Sequence, residues 1–163
     1  MRHLILAAAS SLVLSAAAVA ATPDAQLTAP IRQFVDSFNK GDSKAAAATH
    51  VTTDLAIIDE VAPHLWTGAG AFKAWSDDLA SDAQKRGLTD QSVTIGEPTR
   101  QEVAGDRAYV IVPAVYSFKD HGVSMSEPAQ WTFVLKKGEG GWKIAGWTWT
   151  GPKPQPDKAH AKR

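Results

Sequence analysis

The sequence contains no cysteine among its 163 residues. This absence excludes disulfide bonds, thiol nucleophiles, thiolate metal ligands and a cysteine-linked lipid anchor. The fold must therefore be stabilised by its apolar core. A hydrophobic fraction of 44% with 21% charged residues is typical of a globular chain and unlike the composition of disordered proteins.

An excess of charge of one sign is also missing, because 17 basic residues balance 17 acidic ones. A nucleic-acid-binding domain of this size normally carries a basic excess, so we expect no nucleic-acid partner. Basic side chains are concentrated in residues 152–163, where four of them accompany one aspartate. That stretch has three prolines and no apolar period, which predicts a flexible tail.

The one long apolar run lies at the N-terminus. Arg2 precedes the apolar residues 4–14, and Ala18-Val19-Ala20 supplies the small residues of a cleavage site. We therefore predict a signal peptide over 1–21, with no membrane association after its cleavage. An exported domain without cysteine is typical of bacteria, so the expected location is periplasmic or secreted. One domain, residues 22–151, remains before the tail.

Apolar spacing predicts three helices in the first half of the mature chain. Residues 31–38 place apolar side chains at i, i+3, i+4 and i+7, with Pro30 in the first turn. An alanine-rich helix is predicted over 43–50 and an amphipathic one over 70–86. Between these two helices, the apolar residues 55–58 predict a short strand.

The second half of the chain alternates in the manner of β-strands separated by glycine-containing turns. Strands are predicted over 92–102, 107–119, 124–137 and 141–151. Prolines within them predict bulges or edge positions that let the sheet curl. The fold class is therefore α+β, with helices packed on a curled antiparallel sheet. Such a cone has one open end, where a ligand can bind.

Four local patterns follow one another in this order: the helix 31–42, Trp66-Thr67-Gly68, the hairpin 104–108 and the finish 140–144. Together they resemble the nuclear transport factor 2-like superfamily, which includes SnoaL-like polyketide cyclases, ketosteroid isomerases, scytalone dehydratase and exported bacterial proteins. The resemblance implies a cone-shaped NTF2-like or cystatin-like half-barrel and frequent homodimers through the outer sheet face. It also implies that the enzymes place an acidic or histidine general base in the pocket. The full oxyanion set of the isomerases and the histidine pair of the dehydratase are not found.

Asp59 and His64 are the candidate catalytic residues. Asp59 and Glu60 end the first strand, and alternation should point one of them into the cavity. Burial would raise the pKa of that carboxyl and make it a base for a proton alpha to a carbonyl. His64, five residues later, could hydrogen-bond to Asp59. The alternative interpretation is a carboxylate that caps the loop and an exposed loop histidine.

Aromatic residues are the candidate ligand-binding groups. Four of the six tryptophans lie in the last two predicted strands. Aromatic side chains can line an apolar pocket, form a dimer interface or fill the core. Those we assign to the pocket wall are Trp66, Tyr116, Phe118, Trp131, Trp147 and Trp149. They favour a flat, apolar ligand.

Motifs for metal, nucleotide or serine-hydrolase chemistry do not occur in the sequence. The histidines lack the spacing of metal ligands, and neither a Walker nor a dinucleotide-binding pattern is present. We expect no metal and no cofactor. The leading hypothesis is an exported domain that binds a small, mainly apolar molecule in the cone. The alternatives are a cofactor-free isomerase, cyclase or lyase that uses Asp59 and His64, and a homo-oligomerising or protein-interaction module.

Overall fold

The structure, a computed structural model, describes residues 24–157. The predicted signal peptide over 1–21 and the end of the predicted tail, residues 158–163, lie outside this range. Within the described range, no helix combines the length and apolar character that crossing a bilayer requires.

Three helices and eight strands make up the described chain. In chain order they are α1 Ala25–Asn39, α2 Ser43–Ala48, β1 Ala56–Ile58, β2 Leu65–Thr67, α3 Ala71–Arg86, β3 Leu88–Ile95, β4 Arg100–Ala104, β5 Arg107–Asp120, β6 Val123–Gly138, β7 Gly141–Thr150 and β8 Gln155–Pro156.

The first helix begins earlier than its apolar period suggests. Asp24 caps it, because the Asp24 carboxylate accepts a hydrogen bond from the backbone N–H of Gln26. Pro30 therefore lies inside α1, and its predicted place in the first turn is wrong. The extra turn carries Leu27, which is buried and extends the apolar face of the helix.

The strands form one curled sheet in the order β2-β1-β7-β6-β5-β3, and β4 and β8 pair with β5 and β6. All pairs are antiparallel except β1 with β7, so the sheet is mixed. The predicted strand 92–102 is in fact two strands, β3 and β4, which lie end to end along β5. The α+β class and the helices packed on a curled, open sheet are confirmed.

Prolines occupy places where a neighbouring strand is interrupted. Pro113 in β5 lies between the ends of β3 and β4, and Pro128 in β6 lies between β7 and β8. A proline has no backbone N–H to donate. Because each of these two prolines has no paired strand residue on its interrupted side, no hydrogen bond of the sheet is lost. The register shifts occur elsewhere, between Thr89 and Ser92 and between Val134 and Leu135.

The segment predicted as a flexible tail contacts the sheet where it is described. Gln155 and Pro156 form β8 and pair with Ser126 and Met125 of β6. The backbone N–H of Asp157 also donates to the carbonyl of Ser124, at 3.0 Å. Residues up to 157 therefore belong to the folded domain.

A cluster of aromatic rings joins the helices to the concave face of the sheet. At its centre the Phe34 side chain of α1 is fully buried. Its ring centroid lies 4.7–6.2 Å from the centroids of His50, Phe72, Trp75, Trp131 and Trp147. Edge-to-face and tilted contacts of this kind add to the free energy gained from apolar burial.

His50 is part of this core and is only 4% exposed. Its Nδ1 lies 3.0 Å from the carbonyl oxygen of Ala46, and Trp147 Nε1 donates to its Nε2 at 3.2 Å. Both contacts are satisfied by a neutral ring with its proton on Nδ1. Burial lowers the pKa of His50 from 6.5 to about 4, which keeps the ring neutral.

We expect His50 to make the protein sensitive to acid. Its pKa is lower in the folded than in the unfolded chain, so its stabilising contribution is complete above pH 6.5 and is lost as the pH falls through 4. Urea midpoints measured from pH 7 to 4 should fall less steeply for His50→Gln than for the parent protein. The exposed His121→Gln variant should keep the parental slope, and equal slopes for all three proteins would contradict this role.

Candidate functional site

A cavity of about 360 Å³ lies between α3 and the concave face of the sheet. Its volume falls in the range of small-molecule sites. Apolar side chains form most of the wall, among them Phe38, Val61, Trp75, Leu79, Leu88, Val93, Tyr116, Phe118, Trp131, Trp147 and Trp149. The ionisable residues of the wall are Asp59, Glu60, His64, Asp82, Arg86 and Glu127.

Most of the residues assigned from sequence to the pocket lie around this cavity: Asp59, His64, Tyr116, Phe118, Trp131, Trp147 and Trp149. Trp66 is not among the cavity residues. Its side chain is buried in the core, and its Nε1 donates to Asp78 Oδ2 at 2.8 Å. It connects β2 to α3 and so holds one wall of the cavity in place.

Asp59 lies just after β1 with its carboxylate held by two donors. Trp75 Nε1 donates to Oδ2 at 2.6 Å, and the backbone N–H of Glu60 donates to Oδ1 at 2.7 Å. Burial raises the pKa of the Asp59 carboxyl above its ordinary value, and these hydrogen bonds oppose that rise only in part. Asp59 is therefore positioned to accept or share a proton inside the cavity.

His64 does not form the predicted pair with the Asp59 carboxylate. Its Nδ1 lies 3.2 Å from the backbone carbonyl oxygen of Asp59, and its own carbonyl accepts from the Asp59 N–H at 3.2 Å. The side chain is exposed, and the backbone φ of 76° is left-handed. The turn in the β1–β2 loop therefore places the His64 imidazole next to the backbone carbonyl of Asp59 and not next to the Asp59 carboxylate.

Glu127 is the residue that the sequence reasoning missed. It lies in β6, is only 2% exposed, and accepts a hydrogen bond from Trp149 Nε1 at 2.5 Å. Burial raises the pKa of Glu127 from 4.5 to about 7, and the neighbouring Glu60 adds to the rise. The signal was present, because Glu127 follows the same alternation as the inward-facing Trp131 and Phe133.

Gly151 makes room for the Glu127 carboxyl. A Cβ at Gly151 would collide with Glu127 Oε1 and would lie 3.2 Å from both the Ala129 Cβ and the Pro128 carbonyl oxygen. The carboxyl is the flexible partner, so it would have to move. The glycine is required here for close approach rather than for backbone conformation.

We expect Gly151→Ala to displace the Glu127 carboxyl from Trp149 at a cost of about 1–3 kcal/mol in the free energy of unfolding. The NMR resonance of the Trp149 indole N–H should move upfield as its short hydrogen bond is lost. Gly140→Ala is the matched control, because a Cβ there meets nothing within 4 Å. An unchanged Trp149 resonance in Gly151→Ala would show that the carboxyl is seated in another way.

Among the other polar groups of the wall, Tyr116 and Arg86 have partners, whereas the buried Trp131 Nε1 has no hydrogen-bond partner within residues 24–157. Tyr116 donates its hydroxyl to Gln91 Oε1 at 2.5 Å, and burial raises the pKa of this phenol. Arg86 Nη1 lies 3.1 Å from Asp82 Oδ2. Among residues 24–157 no group of three histidine or acidic side chains is arranged to hold a metal ion.

A model of the SnoaL-like domain matches residues 27–148. The chain belongs to the SnoaL-like family. The match covers both walls of the cavity, and it confirms the predicted resemblance to the nuclear transport factor 2-like superfamily. A search of curated protein sequences finds no match.

Solved structures show the same fold. An NTF2-like superfamily protein from Salmonella enterica is 14% identical, with a TM-score of 0.64 over 85% of this chain and 94% of that chain. An NTF2-like protein with a cystatin-like fold from Novosphingobium aromaticivorans is 18% identical, with a TM-score of 0.62 over 78% and 80%. A type 2 hexachlorocyclohexane dehydrochlorinase is 16% identical, with a TM-score of 0.64 over 79% and 87%. At these identities the likeness establishes the fold alone.

Proposed function

We propose that this SnoaL-like domain binds a small, mainly apolar molecule in the cavity between α3 and the sheet. The observation that carries the proposal is the cavity itself. About 360 Å³ remains open beside the aromatic core, although the rings of that core pack closely elsewhere. Protein interiors are normally close-packed, so an open space of this size is typical of a binding site.

The arrangement of the rings favours a ligand with a flat apolar part. Trp131 and Trp149 meet nearly at right angles, with their centroids 5.1 Å apart. Tyr116 and Phe118 stand 4.8 Å apart on the neighbouring strand. Aromatic walls of this kind bury a large apolar area and accept another ring in stacked or edge-on geometry.

The proposal is tested with N-phenyl-1-naphthylamine, a neutral dye whose fluorescence rises in apolar surroundings. The parent protein should bind the dye saturably at one site. Val61→Trp should weaken this binding at least tenfold, because Val61 lines the cavity and a larger side chain fills it. Val123→Trp is the matched control, since Val123 is an exposed valine outside the cavity wall.

Two results would contradict the proposal. Equal dye affinity in Val61→Trp and Val123→Trp would place the dye outside the cavity. The absence of saturable binding to the parent protein would show that the cavity does not accept apolar molecules. Circular dichroism spectra of both variants establish that the fold is retained.

A cofactor-free isomerase, cyclase or lyase is the second candidate, favoured by the two carboxyls Asp59 and Glu127 with raised pKa in one cavity. A carboxyl with a pKa near 7 can both accept and return a proton at neutral pH. A simple probe is 2-tetralone in D₂O, whose hydrogens alpha to the carbonyl exchange by proton abstraction. Exchange that is faster with the protein and lost in Asp59→Asn or Glu127→Gln would support an enzyme.

We also propose that the protein forms a homodimer. A homo-oligomerising module requires an interface between its subunits. Val134 on the outer face of β6 is an exposed apolar side chain that such an interface could bury. Light scattering of the parent protein and of Val134→Lys tests this. A dimer that Val134→Lys dissociates would support the interface, and a monomer at high concentration would contradict it.

Export of the protein to the periplasm or medium likewise remains a proposal, supported by the N-terminal pattern of residues 1–21. The N-terminal sequence of protein recovered from the periplasmic fraction should begin after Ala20 or Ala21. Recovery in the cytoplasm with Met1 intact would contradict export.

A further inference from the structure

Acidic side chains outnumber arginine and lysine in the wall of the cavity. Arg86 is the one arginine or lysine in the wall, and it forms an ion pair with Asp82. Within residues 24–157, the carboxyls of Asp59, Glu60 and Glu127 form no ion pair with an arginine or lysine. Apart from Asp82, the cavity wall therefore contains three acidic groups that have no arginine or lysine as an ion-pair partner.

These acidic groups converge from two sides of the cavity. Asp59 and Glu60 follow β1, whereas Glu127 lies on β6. The Glu60 carboxylate lies close enough to Glu127 that its negative charge raises the pKa of the Glu127 carboxyl. When Glu127 loses its proton, its negative charge faces that of Glu60, and Asp59 is close enough to add to the repulsion.

The donors to these carboxyls carry no charge. Trp149 donates to Glu127 and Trp75 donates to Asp59, both through a neutral indole N–H. Neutral donors stabilise a carboxylate less than an ammonium or guanidinium does. The site thus holds its acids in place without neutralising them.

Trp131, Trp147 and Trp149 line the same cavity as the acids. Tryptophan faces attract organic cations through the negative charge of the ring, most strongly where water is excluded. Carboxylates in a cavity that is also lined by tryptophan suit an organic cation better than a neutral or an anionic molecule.

We propose that the cavity selects a small molecule with one positively charged nitrogen next to an apolar, aromatic body. Glu127 and Asp59 contact the cation, and the tryptophans contact the body. A cationic ligand removes the repulsion among the carboxyls, a neutral ligand leaves it, and an anionic ligand adds to it. This inference rests on the proposed binding function and names its ligand class.

Three probes with one body and different head groups separate these cases: 4-phenylbutylamine, 4-phenyl-1-butanol and 4-phenylbutyrate. Each is titrated at pH 8 as a competitor of bound N-phenyl-1-naphthylamine. We expect the amine to displace the dye at a concentration at least tenfold below that of the alcohol, a difference of about 1.4 kcal/mol. The carboxylate should be the weakest of the three.

Variants assign the preference to the acids. Glu127→Gln and Asp59→Asn should lose most of the preference for the amine over the alcohol, measured in each variant against its own dye affinity. Glu139→Gln makes the same chemical change in an exposed turn and should keep the preference. Retained dye binding shows that the cavity in each variant is folded.

The pH dependence gives a second readout. The titratable and charged groups that face Glu127 across the cavity are Asp59, Glu60, His64, Asp82, Arg86 and Tyr116. As the pH falls from 8 to 5.5, Glu127, whose pKa is raised to about 7, gains a proton while the amine stays charged, so the preference for the amine should shrink. A preference that is constant across this range would contradict recognition by these carboxyls.

The outcomes distinguish this inference from the function on which it rests. Equal displacement by amine and alcohol would overturn the charge preference and leave apolar binding intact. An undiminished preference in both acid variants would overturn the assigned residues. Failure of all three probes to displace the dye at millimolar concentration would contradict both the inference and the proposed binding cavity.

Discussion

Replacing Glu127 with glutamine should make the protein more stable at pH 8, by on the order of 3 kcal/mol. The pKa of Glu127 rises from 4.5 to about 7 on folding, so the folded state disfavours the charged form. The stability that the protonated carboxyl contributes is complete below pH 4.5 and is lost as the pH rises through 7. Glutamine stays neutral and still accepts a hydrogen bond from Trp149.

Urea unfolding at pH 5 and pH 8 measures this effect. The gain in the free energy of unfolding should be about four times larger at pH 8 than at pH 5. Glu139→Gln should change stability at neither pH, because its side chain is exposed. A Glu127→Gln variant that is no more stable than the parent at pH 8 would show that the buried carboxyl costs nothing.

A buried acid that lowers the stability of the protein points to a function for that acid. Groups with strongly shifted pKa values concentrate at functional sites, where stability is commonly sacrificed for activity. If Glu127→Gln gains stability while it loses the preference for a cation, the two results together would mark Glu127 as a functional residue. Structural carboxyls, by contrast, stabilise the fold that they belong to.

Replacing Phe34 with alanine should lower the free energy of unfolding by about 3–5 kcal/mol. Phe34 is fully buried among the rings that join α1 and α3 to the sheet. Removing its ring leaves a hole that the surrounding rings fill poorly. Three of those rings, Trp75, Trp131 and Trp147, also line the cavity, so the variant should bind the dye more weakly.

The Phe34→Ala effect is read from urea unfolding curves at pH 7, with Val123→Ala as the control. Val123 is 46% exposed at the start of β6, and its truncation should change stability by less than about 0.5 kcal/mol. If Phe34→Ala lost less than about 1 kcal/mol, the aromatic cluster would not be the centre of the core.

Much of the fold could be predicted because apolar residues recur with a clear period in its longer helices and strands. The spacing of Ile31, Phe34 and Phe38 marked α1, and glycine-containing turns marked the hairpins that connect β4 to β7. Elements without a period were missed. β2 and β8 are three and two residues long, and the parallel pairing of β1 with β7 depends on contacts far apart in sequence.

The candidate site was predictable only in part. Asp59 follows an apolar strand, and the alternating Trp147 and Trp149 share a face, so local patterns placed them at the cavity. The orientation of His64 depends on the geometry of its loop, and that of Trp66 on its bond to Asp78. The position of the Glu127 carboxyl depends on Gly151, which lies 24 residues away in the sequence. No local sequence pattern reveals this dependence.

The central claim is that the cavity between α3 and the sheet is the binding site. A crystal structure of the protein with bound N-phenyl-1-naphthylamine tests it most directly. The account predicts density for the dye between Trp149 and Tyr116, within contact of the Glu127 carboxyl. Density for the dye on the outer face of β5 and β6, with the cavity free of it, would contradict the claim.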